Sequence, residues 1–257
     1  MRLKDKVAII TGAADIESIG AAISNRYAKE GAKVVIADIV DGNIVVDAVR
    51  KAGGEAIFVN TDVTKQEQCD AMARVAMDRF GSVDILVNCA AIYATLVEKS
   101  FMDVTAEEWN RLMEVNVAGP FRCVKAVFPY MKEKGGKIIN IASDSFLLGV
   151  PGIPHYVTSK GGIFALTRCL ATELGVHRIN INSLSPGYTK SGASKRVEKQ
   201  STLSKEGEFD EFALQVRCLK RAEYPEDLAG AAVFLASADS DYMTGQQIVV
   251  NGGMCFY

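Results

Sequence analysis

Residues 7–20 read VAIITGAADIESIG: a short apolar run ending at Thr11, then Gly12, then Gly20 eight positions on. An apolar run of that length, cut off by turn residues, is how a strand buried on both faces is written. Gly12 permits a sharp turn after it. The helix-period stretch from Ala21 to Glu30 follows, and Gly20 at its start lets helix and strand approach closely. Backbone amides around Ser18, Ile19 and Gly20 open that helix, where the positive end of its dipole favours a pyrophosphate. Strand, glycine turn and helix in this order begin a dinucleotide-binding βαβ unit, with Ser18 where the fingerprint usually has its middle glycine.

The same rhythm continues down the chain. Short runs rich in Val and Ile recur at Val7–Ile10, Val34–Ala37, Ala56–Asn60, Ile85–Asn88, Lys137–Ala142, Asn180–Ser185 and Gln247–Val250. Helix-period segments separate them; in Glu67–Phe80, residues Met72, Val75, Ala76, Arg79 and Phe80 share one side. Strands alternating with helices imply right-handed crossovers, and hence a parallel sheet covered by helices on both faces. The expected fold is α/β: a single doubly wound Rossmann domain over residues 1–257 with a seven-stranded parallel sheet. One long stretch breaks the rhythm. Tyr188–Glu211 is polar, rich in Ser, Lys and Glu, and leaves the sixth strand at its carboxyl end. Ligands bind at that end of an open parallel sheet, so the segment reads as a lid over about residues 188–211.

Composition narrows the function. Apolar residues make up 49% of the 257 and charged residues 23%, which is globular usage with enough apolar mass for a large core. The net charge of -2 comes from interspersed acids and bases, without the basic stripe that nucleic acid or anionic lipid requires. Cys69, Cys89, Cys123, Cys169, Cys218 and Cys255 are far apart, and two histidines cannot complete a metal set with them. Thr11 and Gly12 cut the apolar run of the N-terminus well below a signal core, and no apolar segment approaches the roughly 18–20 residues of a membrane helix. A soluble cytoplasmic protein acting on a small molecule is expected, with no nucleic-acid, membrane or metal partner.

Asp38 closes the second strand, where a carboxylate can accept hydrogen bonds from both adenosine ribose hydroxyls and repels a 2′-phosphate. Asp15 and Glu17 add negative charge, and no Arg or Lys lies beside Asp38 in the sequence, so NAD(H) is expected over NADP(H). Tyr156 and Lys160 stand four residues apart. If Ser159–Leu174 is helical, as Ile163, Leu166, Thr167 and Leu170 indicate, the two share one face. A phenol with an ordinary pKa near 10 is a poor base at neutral pH, and a neighbouring ammonium stabilises the phenolate. Ser143 follows the fifth strand, where its hydroxyl can hold a substrate oxygen beside that phenol.

Taken in order, Thr11-Gly12, Asn116, Ser143, Tyr156, Lys160 and Pro186-Gly187 resemble the short-chain dehydrogenase/reductase family across nearly the whole chain. The family pattern at the first turn is Thr-Gly-x-x-x-Gly-x-Gly. Two extra residues here before Ser18-Ile19-Gly20 give a spacing closer to the related enoyl reductases. The resemblance implies a catalytic tetrad: Ser143 orients the substrate oxygen, Tyr156 transfers the proton, Lys160 also binds the nicotinamide ribose, and Asn116 holds a relay water. It further implies that Asp62 and Val63 bracket the adenine, and that Asn88, opening Asn88-Cys-Ala-Ala91, matches an Asn-Asn-Ala-Gly signature at the cofactor. Cys89 within it reads as a small structural residue. Pro186-Gly187 would let backbone approach the nicotinamide amide, with Ser191 at the place of a cofactor-binding threonine and Thr189 sharing that role. The expected substrate is a neutral, moderately apolar secondary alcohol or ketone held by Tyr93, Ser143, Ser145, Phe146, Val150, Ile153, Tyr156 and Tyr188. His155, beside the tyrosine, reads as a packing residue. The family also implies a homotetramer built through the helices around Thr105–Lys132 and Ser159–Leu174 and the last strand. Two rival readings are an enoyl-type reductase, which separates its tyrosine and lysine by six residues rather than three, and a silent dinucleotide-binding regulator, expected to lack one of that pair.

Overall fold

Along β1 (Val7–Thr11) the side chains alternate between two separate apolar cores: Ala8 and Ile10 enter one, Val7 and Ile9 the other. A strand buried on both faces has no polar side, which explains the continuous apolar run. The computed structural model describes residues 1–200 and 207–256. After β1 the elements are α1 (Ile19–Lys29), β2 (Lys33–Asp38), α2 (Asn43–Lys51), β3 (Glu55–Asn60), α3 (Gln66–Phe80) and β4 (Ile85–Asn88). Then come α4 (Ala106–Met113), α5 (Gly119–Met131), β5 (Gly136–Ile141), α6 (Ser145–Leu148), α7 (Pro154–Leu174) and β6 (Ile179–Pro186). The chain closes with α8 (Gly192–Gln200), α9 (Glu208–Val216), α10 (Pro225–Ala236) and β7 (Gln247–Val250).

The strands form one sheet in the order β3-β2-β1-β4-β5-β6-β7, and every pairing is parallel. This is the expected seven-stranded, doubly wound architecture. Helices α1, α2 and α10 cover one face through Ile23, Tyr27, Val45, Val49, Leu228 and Val233; α3, α5 and α7 cover the other through Met72, Cys123, Val127, Met131, Leu170 and Leu174. The Tyr27 hydroxyl donates to the Ala232 carbonyl at 2.8 Å, satisfying its polar end inside the core. The order reverses beside β1, and loops leaving the carboxyl ends of β1 and β4 diverge there to open a crevice.

Two expectations need correction. The inner face of α3 is Cys69, Met72, Ala73 and Ala76, while Arg79 is exposed, because the true phase is set by packing against α5. Helix α7 begins at Pro154 rather than Ser159; proline's fixed φ suits a first helical turn. The polar stretch after β6 carries helix α8 and the start of α9; its residues 201–206 lie outside the described residues. No helix among the described residues is long and apolar enough to cross a membrane.

Candidate active site

Loops from the carboxyl ends of β1 to β6 enclose a groove of about 860 Å³. At its floor Gly12 has φ 67°, and a Cβ there would sit 2.5 Å from Ala90 Cα, so only glycine can make the turn against the β4 exit. A Cβ on Gly20 would meet the Gly12 carbonyl oxygen at 2.8 Å, the close helix approach expected of it. Ser18 is the N-cap of α1, its Oγ accepting the Ala21 N–H at 3.0 Å. Gly12, Ser18 and Ile19 line the groove, and Gly20 lies behind them. Thr11 Oγ1 ties β1 to β4 by accepting the N–H groups of Cys89 and Ala90 at 3.1 and 3.2 Å.

Asp38 lines the groove at the end of β2, and its Oδ2 accepts the Ala14 N–H at 3.0 Å, so this carboxylate also pins the glycine loop. Asp62 and Val63 line the next stretch of wall with Thr61, Thr64 and Lys65. The tight glycine turn lining the groove, the capped start of α1 and the acid at the β2 end fit a dinucleotide. Asn88 does not face this groove: its Nδ2 donates to Asn140 Oδ1 at 2.8 Å, and Asn140 donates on to Thr167 Oγ1, linking β4, β5 and α7. The wall there is Cys89, Ala90 and Ala91. Burial pushes the Cys89 thiol up to about 11, consistent with an inert side chain.

Pro186, Gly187, Thr189 and Ser191 line the opposite wall. Helix α8 rises from it and crosses to the glycine loop, where Arg196 pairs with Asp15 at 2.7 Å and Lys195 with Glu17 at 2.8 Å. The Gly192 N–H adds a bond to the Glu17 carbonyl at 3.2 Å. The two acids of the lengthened loop therefore hold α8. Arg196 and Lys65 both line the groove, so basic groups distant from Asp38 in sequence share its cavity. The clue was the complementary pairs Asp15/Glu17 and Lys195/Arg196, but sequence distance hid their contact.

On the third side stand Ser143, Tyr156 and Lys160, all buried and all lining the groove. Lys160 Nζ donates to the Ile141 carbonyl at 2.9 Å and lies 5.6 Å from the centre of the Tyr156 ring. Burial brings the Lys160 pKa down to about 8, against an opposing pull from Cys89. Burial likewise drives the Tyr156 phenol far above its ordinary range, with Tyr93 adding to the rise and a Ser143 hydrogen bond opposing it. The net direction is therefore upward, opposite to the lowering expected from the ammonium. Ser143 Oγ accepts the Ser145 N–H at 3.1 Å. Asn116 sits in a π-helical turn, Glu114–Ala118, between α4 and α5. It exchanges hydrogen bonds with the Ile92 backbone at 2.7 and 3.3 Å and donates to Ser159 Oγ at 3.1 Å, which fixes it against α7 one residue before the lysine.

Only part of the expected substrate set reaches the groove. Tyr93 does, its ring centre 5.0 Å from that of Tyr156. Val150 and Ile153 pack behind Tyr156 with Leu96 and Leu112, supporting it from the apolar side. Phe146 stacks on Phe164 and Tyr188 on Phe209; the Tyr188 hydroxyl donates to Glu198 at 2.6 Å. Ser145, Phe146, Val150, Ile153 and Tyr188 are absent from the groove lining, whereas Ile92, Ala94, Thr95 and Val115 contribute to it. Successive residues of a helix point about 100° apart, so a position near a functional side chain in sequence need not share its wall.

The chain matches the family described as enoyl-(acyl carrier protein) reductase over residues 12–255. It is 37% identical to galactitol 2-dehydrogenase of Agrobacterium fabrum, across 98% of both chains. To the 3-oxoacyl-(acyl-carrier-protein) reductase FabG of Thermotoga maritima it is 32% identical, across 99% of both. A solved short-chain dehydrogenase/reductase structure from Burkholderia xenovorans superposes with a TM-score of 0.91 at 30% identity, across 98% of this chain and 97% of that one. The chain belongs to the short-chain dehydrogenase/reductase family of oxidoreductases, which generally work with nicotinamide cofactors.

Proposed function

We propose that this protein transfers a hydride between NAD(H) and the carbinol or carbonyl carbon of a small secondary alcohol or ketone, with Tyr156 exchanging the proton on oxygen. The observation that carries this reading is that Ser143, Tyr156 and Lys160 line the same groove as Gly12, Asp38 and Thr189. The bound nicotinamide would supply or take the hydride and, when oxidised, a positive charge that favours phenolate. The chain's own groups do the rest. Ser143 holds the substrate oxygen, and Tyr156, kept protonated by burial, donates to it as a carbonyl is reduced. Lys160 offers its charge to the phenol and its Nζ protons to a ribose, while Asn116 steadies α7 through Ser159 and, as the family resemblance implies, would support a relay water. Gly12, Ser18 and Ile19 would hold the pyrophosphate, Asp38 the adenosine ribose, Asp62 and Val63 the adenine, and Gly187, Thr189 and Ser191 the nicotinamide end.

The family description favours a second reading, enoyl reduction. Against it, three residues separate Tyr156 from Lys160, where enoyl reductases have six. A silent regulator would lack one of the pair, and both are present. The reading extends to a cytoplasmic homotetramer.

The test is NADH absorbance with a panel of secondary alcohols and ketones. Tyr156→Phe should lower kcat/KM by about 10²- to 10⁴-fold. Turnover that survives the substitution overturns the assignment of Tyr156. NADH binding without turnover across the panel would favour the regulator, and a higher kcat/KM with NADPH would overturn the role given to Asp38.

A further inference from the structure

Behind the nicotinamide end of the groove lies a charged cluster that the proposed chemistry does not use. Arg217, Glu223 and Asp144 are each at least 95% buried, and Asn251 joins them. Arg217 Nη2 lies 3.5 Å from Glu223 Oε2. Asp144, the residue after Ser143, accepts the Asn251 side-chain N–H at 3.1 Å, and the Asn251 Oδ1 accepts the N–H groups of Gly253 and Met254. The stem of Arg217 runs so close over Gly252 that a Cβ there would meet its Cδ at 2.6 Å. Burying an arginine and two acids is costly, and apolar residues of the same volume would serve the core as well or better.

What the cluster holds is the groove wall. Glu223 Oε1 accepts the Thr189 hydroxyl at 2.7 Å, and the Glu223 carbonyl accepts the Lys190 N–H at 2.8 Å. Arg217 Nη2 donates to the Tyr188 carbonyl at 3.0 Å. Three consecutive residues, 188 to 190, are thus fastened from behind by one loop between α9 and α10, and Thr189 of the three lines the groove. The remaining charges nearby are already matched: Arg221 with Asp227, and Lys190 with Asp210.

We propose that Glu223 is a positioning residue for the cofactor groove, setting the place of Thr189 through its hydroxyl while Arg217 anchors Tyr188 and keeps Glu223 in register. The proposal rests on the reading of the groove as a dinucleotide site. It also explains why a group that costs stability occupies this position.

NADH fluorescence titration at pH 8, with thermal melting of the same samples, tests it. Glu223→Leu, which removes the acceptor, should weaken NADH binding about threefold to tenfold, the loss expected for one hydrogen bond. Glu223→Gln keeps an oxygen that accepts the Thr189 hydroxyl and should bind NADH as the wild type does, although both variants lower the melting temperature by leaving Arg217 without its carboxylate. A residue serving the core alone would lose affinity alike in both variants. Thr189→Val should weaken NADH binding by a similar factor, Thr189→Ser should restore it, and Glu223→Leu added to Thr189→Val should weaken it no further. Wild-type affinity in Glu223→Leu or in Thr189→Val overturns the proposal, as does a further full loss in the double variant. Should Glu223→Leu not fold, Glu223→Met takes its place in each comparison. Failure of the wild type to bind NADH would instead overturn the dinucleotide reading, and the proposal with it.

Discussion

Lys160 shows how burial turns a familiar pair into something the spacing alone does not describe. Tyr156 and Lys160 were legible because a four-residue step on a helix places two side chains on one face. The direction of their titration was not. Leu96 and Leu112 come from distant parts of the chain to join Ile153 in drying the phenol, and only the folded core shows that burial drives its titration upward. With Lys160 brought down to about 8 by burial, its charge is present below that pH and lost above it. For carbonyl reduction with NADH as the varied substrate, kcat/KM should therefore be level at neutral pH and fall as pH rises through about 8. Lys160→Met should lower kcat/KM by about 10²- to 10⁴-fold at pH 7 and abolish that descending limb. A limb retained in the variant would assign the titration to another group.

The glycine turn is the element on which the cofactor half of the groove depends, and its two glycines can be tested against a third that is free. Gly20→Ala would drive a Cβ to 2.8 Å from the Gly12 carbonyl and 2.9 Å from Ala13, so the loop must shift. Such overpacking costs about 1–3 kcal/mol, and NADH affinity should fall with it. Gly230 in α10 has nothing within 4 Å of its Cβ position, and Gly230→Ala should stabilise the protein by about 0.5–1 kcal/mol. Denaturant unfolding read beside NADH titration separates the two; equal behaviour would refute the close-approach account. The strands and most helices were legible because each has an apolar face that must find the core. Helix α8 was not: its buried side is Gly192, Ser194 and Val197, with almost no apolar signal, and it is held by ion pairs to Asp15 and Glu17. Asn88 misled for a related reason, since nothing in the strand tells whether its amide turns to the groove or to Asn140.

At the scale of the molecule, two properties follow from how charge and apolar surface are distributed. Trp109 on α4 and Phe121 on α5 are partly exposed, and Tyr242 and Phe256 near β7 are largely so, on the elements expected to carry a tetramer. Light scattering at micromolar concentration should give four times the mass of one chain; a monomer would refute that assembly. The second property is the dependence of stability on pH. Burial raises Glu223 to about 7 and Asp144 to about 6, so between the ordinary carboxylate range and those values the folded chain holds protons that the unfolded chain releases. Their contribution favours folding at acidic pH and fades as pH rises through 6 to 7. Acids held low by partners, such as Glu108 at about 2 beside Lys99, act in the opposite sense and lose their contribution as pH falls toward that value. Thermal stability should therefore peak between about pH 5 and 6. Arg217→Met removes a cation facing both buried acids, and at pH 8 should cost about 3–5 kcal/mol, shrinking toward pH 5 as Glu223 and Asp144 take up protons. A loss equal at both pH values would mean that the arginine acts by packing alone, and that the cluster does not titrate as a unit.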